Sequence, residues 1–158
     1  MKKKALYPGS FDPITNGHLD IIKRSSEIFD EVTLAIFDNP DKQPLFSFDE
    51  RKELIMKVID ADNITIDSFN GLLVDYAEKH SFQTIIRGLR AVSDFDYEFQ
   101  LALTNRRLGK HVDTIFFMTD EKYSYLSSSI VKQVCRFGGD ISSFVPPLVE
   151  KYLKEKIT

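Results

Sequence analysis

Five short apolar runs, each followed by residues with helical spacing, set the strongest limit on how this chain can fold. Ala5-Leu6-Tyr7, residues 32–37, 64–66, 84–86 and 114–118 are rich in β-branched and aromatic side chains and read as strands. Helices are predicted over residues 17–29, 48 to about 60, 72–80 and 94–108. Two more follow the fifth strand, over residues 127–137 and after Pro146-Pro147. Strand and helix alternating with no long linker predict an α/β, doubly wound (Rossmann-like) five-stranded parallel sheet with helices on both faces. Residues 1–158 are expected to form a single domain. In such a sheet ligands sit beyond the carboxyl ends of the strands, where the strand order reverses.

Local signals sharpen the boundaries. Thr15 and Asn16 are good N-cap residues, and Ser47 with Glu50 forms a capping box. Asp94 is expected to cap the fourth helix, with Phe95, Phe99, Ala102 and Leu103 as its buried stripe. Leu19, Ile21, Ile22, Ile28 and Phe29 suit one broad face of the first helix. Pro8-Gly9 should stop the first strand and Arg87-Gly88 the fourth, and Gly138-Gly139 should close the fifth helix. Residues 38–45 read as a loop on composition.

Composition narrows the function classes. An apolar share of 42% with 28% charged residues belongs to a soluble globular chain. The net charge of −3 weighs against a nucleic-acid partner, because backbone affinity needs a basic face. A single cysteine, Cys135, rules out an intrachain disulfide and suits a reducing compartment. Lys2-Lys3-Lys4 could begin a signal peptide, but Pro8-Gly9 and Asp12 interrupt any apolar stretch after it. No stretch approaches the ~18 apolar residues of a membrane span. A cytoplasmic location is expected.

Three constellations carry chemistry, and each comes after a predicted strand. In residues 7–18, Gly9 allows close backbone approach, Ser10 adds a hydroxyl, and Gly17-His18 open a helix whose free N–H groups favour phosphate. Arg87-Gly88-Leu89-Arg90 offers two guanidinium forks matched to phosphate oxygens. Tyr123-Ser124-Tyr125-Leu126-Ser127-Ser128-Ser129 brings hydroxyls and N–H groups to a third helix start. Taken singly, the arginine pair could be a solvated turn and the serines only caps. Asp12 reads as a turn-stabilising residue, and His80 and His111 as exposed helix-end residues.

The pattern is neither a Walker loop nor G-x-G-x-x-G. Thr15-Asn16-Gly17-His18 resembles the H/T-x-G-H signature of the nucleotidyltransferase superfamily, and Thr15 in place of His points away from its cytidylyltransferases. YPGSFDPITNGHLD, LLVDYA, IRGLRAVSDFDYE and the serine helix, in that order, resemble the bacterial phosphopantetheine adenylyltransferases over essentially the whole chain. Leu126 stands where that family often has Ile.

The resemblance implies transfer of AMP from ATP to 4′-phosphopantetheine, giving dephospho-coenzyme A and pyrophosphate by direct in-line attack. His18 would stabilise the transition state, aided by Lys42 and Arg90. Ser10, Phe11, His18, Gly88, Leu89, Arg90, Glu98 and residues 123–129 would hold ATP. Ser10, Lys42, Leu73 and Arg87 would hold the acceptor. Mg²⁺ is expected to be carried by the ATP phosphates and water, with no protein ligand. The resemblance further implies a homohexamer, and coenzyme A, which shares the pantetheine arm, is expected as a competing inhibitor. Two other readings are a different acceptor, such as a mononucleotide or phospho-alcohol, and a non-catalytic adenine-nucleotide module. Thr15 and Leu72-Leu73 favour pantetheine, and a mere binding module would have little use for both Lys42 and His18.

Overall fold

The computed structural model describes residues 2–38 and 40–157, so Asn39, in the loop predicted over residues 38–45, lies outside the described residues. Five strands form one parallel sheet in the order β3-β2-β1-β4-β5. They are β1 (Lys4–Gly9), β2 (Glu31–Phe37), β3 (Ile64–Phe69), β4 (Thr84–Leu89) and β5 (Asp113–Met118). The helices are α1 (Asn16–Ile28), α2 (Phe48–Val58), α3 (Leu73–Lys79), α4 (Val92–Leu108), α5 (Ser128–Arg136) and α6 (Pro147–Ile157).

Strand alternation divides the core between the two faces of the sheet. Ala5, Tyr7, Val32, Leu34 and Ile36 point into a large cluster with Ile21 and Ile22 of α1, Leu54 and Ile55 of α2, Val131 of α5, and Val149 and Leu153 of α6. Leu6, Ala35 and Ile85 point the other way, towards Ala77 of α3 and Val112. Strands buried on both faces carry near-continuous apolar runs, which is why residues 32–37 show no polar alternation.

Two strands run further than their turn residues suggested. Pro8 and Gly9 continue β1 by pairing with Ala35 and Ile36 of β2. Arg87, Gly88 and Leu89 continue β4 by pairing with Phe116, Phe117 and Met118 of β5. Between β1 and β4 the register holds only Ala5–Thr84 and Leu6–Ile85. Beyond Leu6 the two central strands part, each kept in place by its outer neighbour. Pro8 therefore lacks an N–H where no β4 carbonyl is paired to receive one. This parting is the switch-point crevice of a doubly wound sheet.

Helix α4 departs from its expected face. It starts at Val92 behind an extended Ala91, and Asp94 instead accepts from Arg90 Nε at 3.1 Å. Phe95, Phe99 and Leu103, expected inside, are 44%, 46% and 49% exposed, while Glu98 and Asn105 turn inward. The apolar spacing marked a face to be covered, and the face turned to the sheet is instead the one carrying Glu98, which bonds Arg87 of β4. Ile28, likewise expected on the apolar face of α1, is exposed, and Phe29 beside it is buried.

Candidate active site

The phosphate turn is a strained, tightly held segment. Phe11 adopts a φ of 47°, unusual for a bulky residue, and is buried. Its ring meets Tyr7 and His18 edge-on, with centroids 5.4 and 5.0 Å away. Behind it Asp12 is buried and accepts the N–H groups of Leu45 and Phe46, both at 2.9 Å. Lys132 Nζ lies 2.9 Å from the same carboxylate. Buried Arg51 donates to the carbonyl of Ser10 at 2.9 Å and to those of Ser47 and Phe37. These contacts fix the turn against the loop that carries Lys42.

Thr15 caps α1, and His18 replaces the usual Glu or Gln of a capping box. The N–H of Thr15 donates to His18 Nδ1 at 3.0 Å, and the Thr15 hydroxyl lies 3.1 Å from the same nitrogen. A ring nitrogen that accepts a backbone N–H is unprotonated, so the neutral ring carries its proton on Nε2. Burial, then the charges of Arg90 and Arg87, pull the imidazole down to about 4. At neutral pH His18 is therefore a fixed hydrogen-bond donor rather than a cation.

Two cavities open at the parting of β1 and β4. The first, of about 280 Å³, is lined by Ser10, Gly17, His18, Gly88, Arg90, Tyr123 and residues 126–129. A Cβ at Gly88 would come within 2.5 Å of Ile21 Cδ1, so any larger residue there would have to displace the end of the buried Ile21 side chain. Arg90 donates to the carbonyl of Leu126 at 3.0 Å, drawing the serine segment over the crevice. The Ser127 hydroxyl caps α5 at Ile130 N, and the Ser128 hydroxyl donates to the carbonyl of Pro13 at 2.8 Å. The second cavity, of about 610 Å³, is lined by Ser10, Lys42, Leu73, Arg87, Ser129 and Lys132 among others. Ser10 and Ser129 belong to both, so the cavities share a wall.

Most of the site residues expected from sequence are thus gathered into one of two neighbouring spaces. Phe11, Leu89, Glu98, Ser124 and Tyr125 line neither cavity. Phe11 supports His18 from behind. Glu98 grips Arg87 through two bonds, from Nε at 2.9 Å and Nη2 at 2.7 Å. Burial opposes the Arg87 charge, and the Glu98 carboxylate more than offsets it, so the guanidinium is held firmly protonated. Tyr125 packs against Phe144 instead.

Sequence reasoning missed Thr119, Arg51 and Lys132. Thr119 lines the first cavity, and its buried hydroxyl has no partner among the described residues. Its neighbours in sequence gave no signal for it. Arg51 and Lys132 line the second cavity and did leave a trace. Arg51 occupies the apolar stripe of α2 shared with Leu54 and Ile55, and Lys132 comes four residues after Ser128 on one helix face.

Residues 6–134 match the cytidylyltransferase-like family. The chain is 54% identical over 156 residues to a phosphopantetheine adenylyltransferase of Desulfosudis oleivorans, covering 98% of this chain and 93% of that one. It is 55% identical over 155 residues to the protein of the same name from Alkaliphilus metalliredigens, covering 98% and 99%. Among solved structures, a Plasmodium falciparum nicotinic acid mononucleotide adenylyltransferase complexed with APC superposes with a TM-score of 0.71 at 18% identity, covering 98% and 96% of the two chains. That last likeness is one of fold. Taken with the paired cavities and the Thr15–His18 helix start, the sequence matches show that the chain belongs to the cytidylyltransferase-like family and, within it, to the phosphopantetheine adenylyltransferases.

Proposed function

We propose that this protein transfers the adenylyl group of ATP to the phosphate of 4′-phosphopantetheine, releasing pyrophosphate and forming dephospho-coenzyme A, a late step of coenzyme A biosynthesis. The observation that carries the reading is the shared wall: Ser10 and Ser129 border both cavities, so two ligands can meet there. ATP takes the first cavity, under Arg90 and the start of α5. The acceptor takes the second, with its phosphate towards Ser10 and its arm along Leu73. Lys42 stands at the exposed side of that cavity.

An oxygen of the acceptor phosphate attacks the α-phosphorus of ATP while the bond to the β-phosphate breaks. The nucleophile is already anionic, so no general base is needed. Alignment and neutralisation of charge are the whole demand. His18 supplies an Nε2–H donor whose aim is fixed from Thr15. Arg90 faces the outer phosphates.

Among the described residues no cluster of acidic, histidine or cysteine side chains forms a cation cage, and the first cavity is lined by hydroxyls, His18 and one cation, Arg90, without a carboxylate. That donor set fits Mg²⁺ carried on the triphosphate with its own waters. When bound, Mg²⁺ adds charge neutralisation to the leaving pyrophosphate.

The exposed Phe95, Phe99 and Leu103 of α4 support self-association, and we read the assembly as a homohexamer. Coenzyme A, sharing the pantetheine arm, competes for the second cavity. Among the described residues no helix is long and apolar enough to cross a membrane, and we read the location as the cytoplasm, which suits the lone Cys135. The reading is tested by product formation: dephospho-coenzyme A and pyrophosphate should appear in equal amounts only when ATP, Mg²⁺ and phosphopantetheine are all supplied. Pyrophosphate without phosphopantetheine would contradict it.

A further inference from the structure

Four cations border the second cavity, and they are held in different ways. Arg51 is committed to the carbonyls of Ser10, Phe37 and Ser47. Arg87 gives two of its five N–H groups to Glu98. Lys42 is exposed, at the outer side of the cavity. Lys132 differs from all of them: its side chain is only 22% exposed, and among the described residues its ammonium bonds to Asp12 Oδ2 alone, at 2.9 Å. Three N–H donors with one acceptor among the described residues leave two unspent beside the cavity that Lys132 lines.

Asp12 is what holds it there. One carboxylate oxygen takes Phe46 N–H, and the other takes Leu45 N–H together with Lys132. With both oxygens occupied and 6% of the side chain exposed, Asp12 cannot swing away to track a ligand. It neutralises Lys132 while the cavity is empty, which offsets the cost of burying an ammonium. Lys132 also sits on α5 one turn beyond Ser129, the residue both cavities share. Its charge therefore stands beside the wall that the two cavities share.

We propose that Lys132 is a further substrate-binding residue, an inner cation that Asp12 positions to receive the phosphate of the acceptor at the seam between the cavities. The inference rests on the adenylyl-transfer reading. Lys42 then meets the acceptor phosphate on its outer side and Lys132 on its inner side, and Asp12 is a positioning residue acting through Lys132.

Calorimetry of phosphopantetheine and of pantetheine, which lacks the phosphate, tests this on the wild type, Lys132→Met, Lys132→Arg and Asp12→Asn proteins. Steady-state kinetics run beside it. Lys132→Met should lose about tenfold or more of the preference for phosphopantetheine over pantetheine, with pantetheine and ATP affinities within about twofold of wild type, and Lys132→Arg should recover most of the loss. Asp12→Asn should weaken the same preference, and combining it with Lys132→Met should add little further. An unchanged phosphate preference in folded Lys132→Met protein, or a loss that falls on ATP instead, would overturn the proposal. Failure of the adenylyl-transfer reading would show separately, as wild-type protein that forms no product.

Discussion

The backbone N–H of Thr15 points at His18 Nδ1 from 3.0 Å, and this one bond fixes the ring so that Nε2 is the nitrogen left to donate. Because Nδ1 must accept, the proton sits on Nε2, on the side of the first cavity. The capping box that starts α1 and the device that aims His18 are the same hydrogen bonds. Helix initiation and the fixing of the His18 ring are thus joined in four residues.

His18 should behave as a neutral donor throughout the physiological range. Burial first, then Arg90 and Arg87, hold it near 4 instead of the ordinary 6.5. Nitrogen NMR should find the Nε2–H tautomer at pH 7, with no titration until well below pH 6. In the linkage sense, the unfolded chain binds a proton between these values that the native state refuses. Stability from this group is full above about pH 6.5 and declines as pH falls towards 4. An imidazolium signal in the folded protein at pH 6 would contradict the assignment.

Replacing His18 with Ala removes a donor aimed at developing charge. The expected loss is about 100- to 1,000-fold in kcat. ATP affinity by calorimetry should stay within a few-fold, since Arg90 and the start of α5 are untouched. Near-normal turnover in this variant would refute the role given to His18.

Transfer without an adenylyl-enzyme intermediate has a stereochemical signature. One in-line displacement inverts the α-phosphorus, whereas two restore it. ATP made chiral at that phosphorus with sulfur should give inverted product. Retention would require a nucleophile in the chain that this site does not suggest.

Gly88 makes a stability prediction that is independent of function. An alanine Cβ would lie 2.5 Å from Ile21 Cδ1, so Gly88→Ala should destabilise the fold by about 1–3 kcal/mol in urea unfolding. Ile21→Val removes that methyl, and the double variant should recover part of the loss. If the two changes simply added, Ile21 would not be what reserves position 88 for glycine.

Association through α4 is tested by charge. Phe99→Asp puts a carboxylate on a face whose Phe95 and Phe99 rings stack at 5.5 Å. Light scattering should give about 109 kDa for six copies of the 18.2 kDa wild-type chain and a smaller mass for the variant. A wild-type mass near one chain would contradict the hexamer.

The order of elements was legible because parallel, doubly buried strands leave apolar runs that helices must separate. The residues that reach into the crevice were legible where polar or charged side chains gather at a strand end, as Ser10, Arg87 and Arg90 do. What stayed hidden depends on contacts distant in sequence. Pro8-Gly9 and Arg87-Gly88 look like strand stops until β2 and β5 are seen to carry them onward. The outward face of α4 was misread because its apolar spacing fits covering by this sheet or by another subunit equally well. Asp12 and Lys132 stand 120 positions apart, and no local pattern links them. Glu98 looks like any helix-surface acid until Arg87 is found beneath it.

Acceptor discrimination is the sharpest check on the assignment of the second cavity to phosphopantetheine. Pyrophosphate release with saturating ATP and Mg²⁺ should be measured for phosphopantetheine, pantetheine, nicotinate mononucleotide and a simple phospho-alcohol. The value of kcat/KM for phosphopantetheine should exceed each of the others by at least about a hundredfold, because Leu73 and the cations of the second cavity are used together only by that ligand. Preference for nicotinate mononucleotide, or equal rates across the panel, would contradict it.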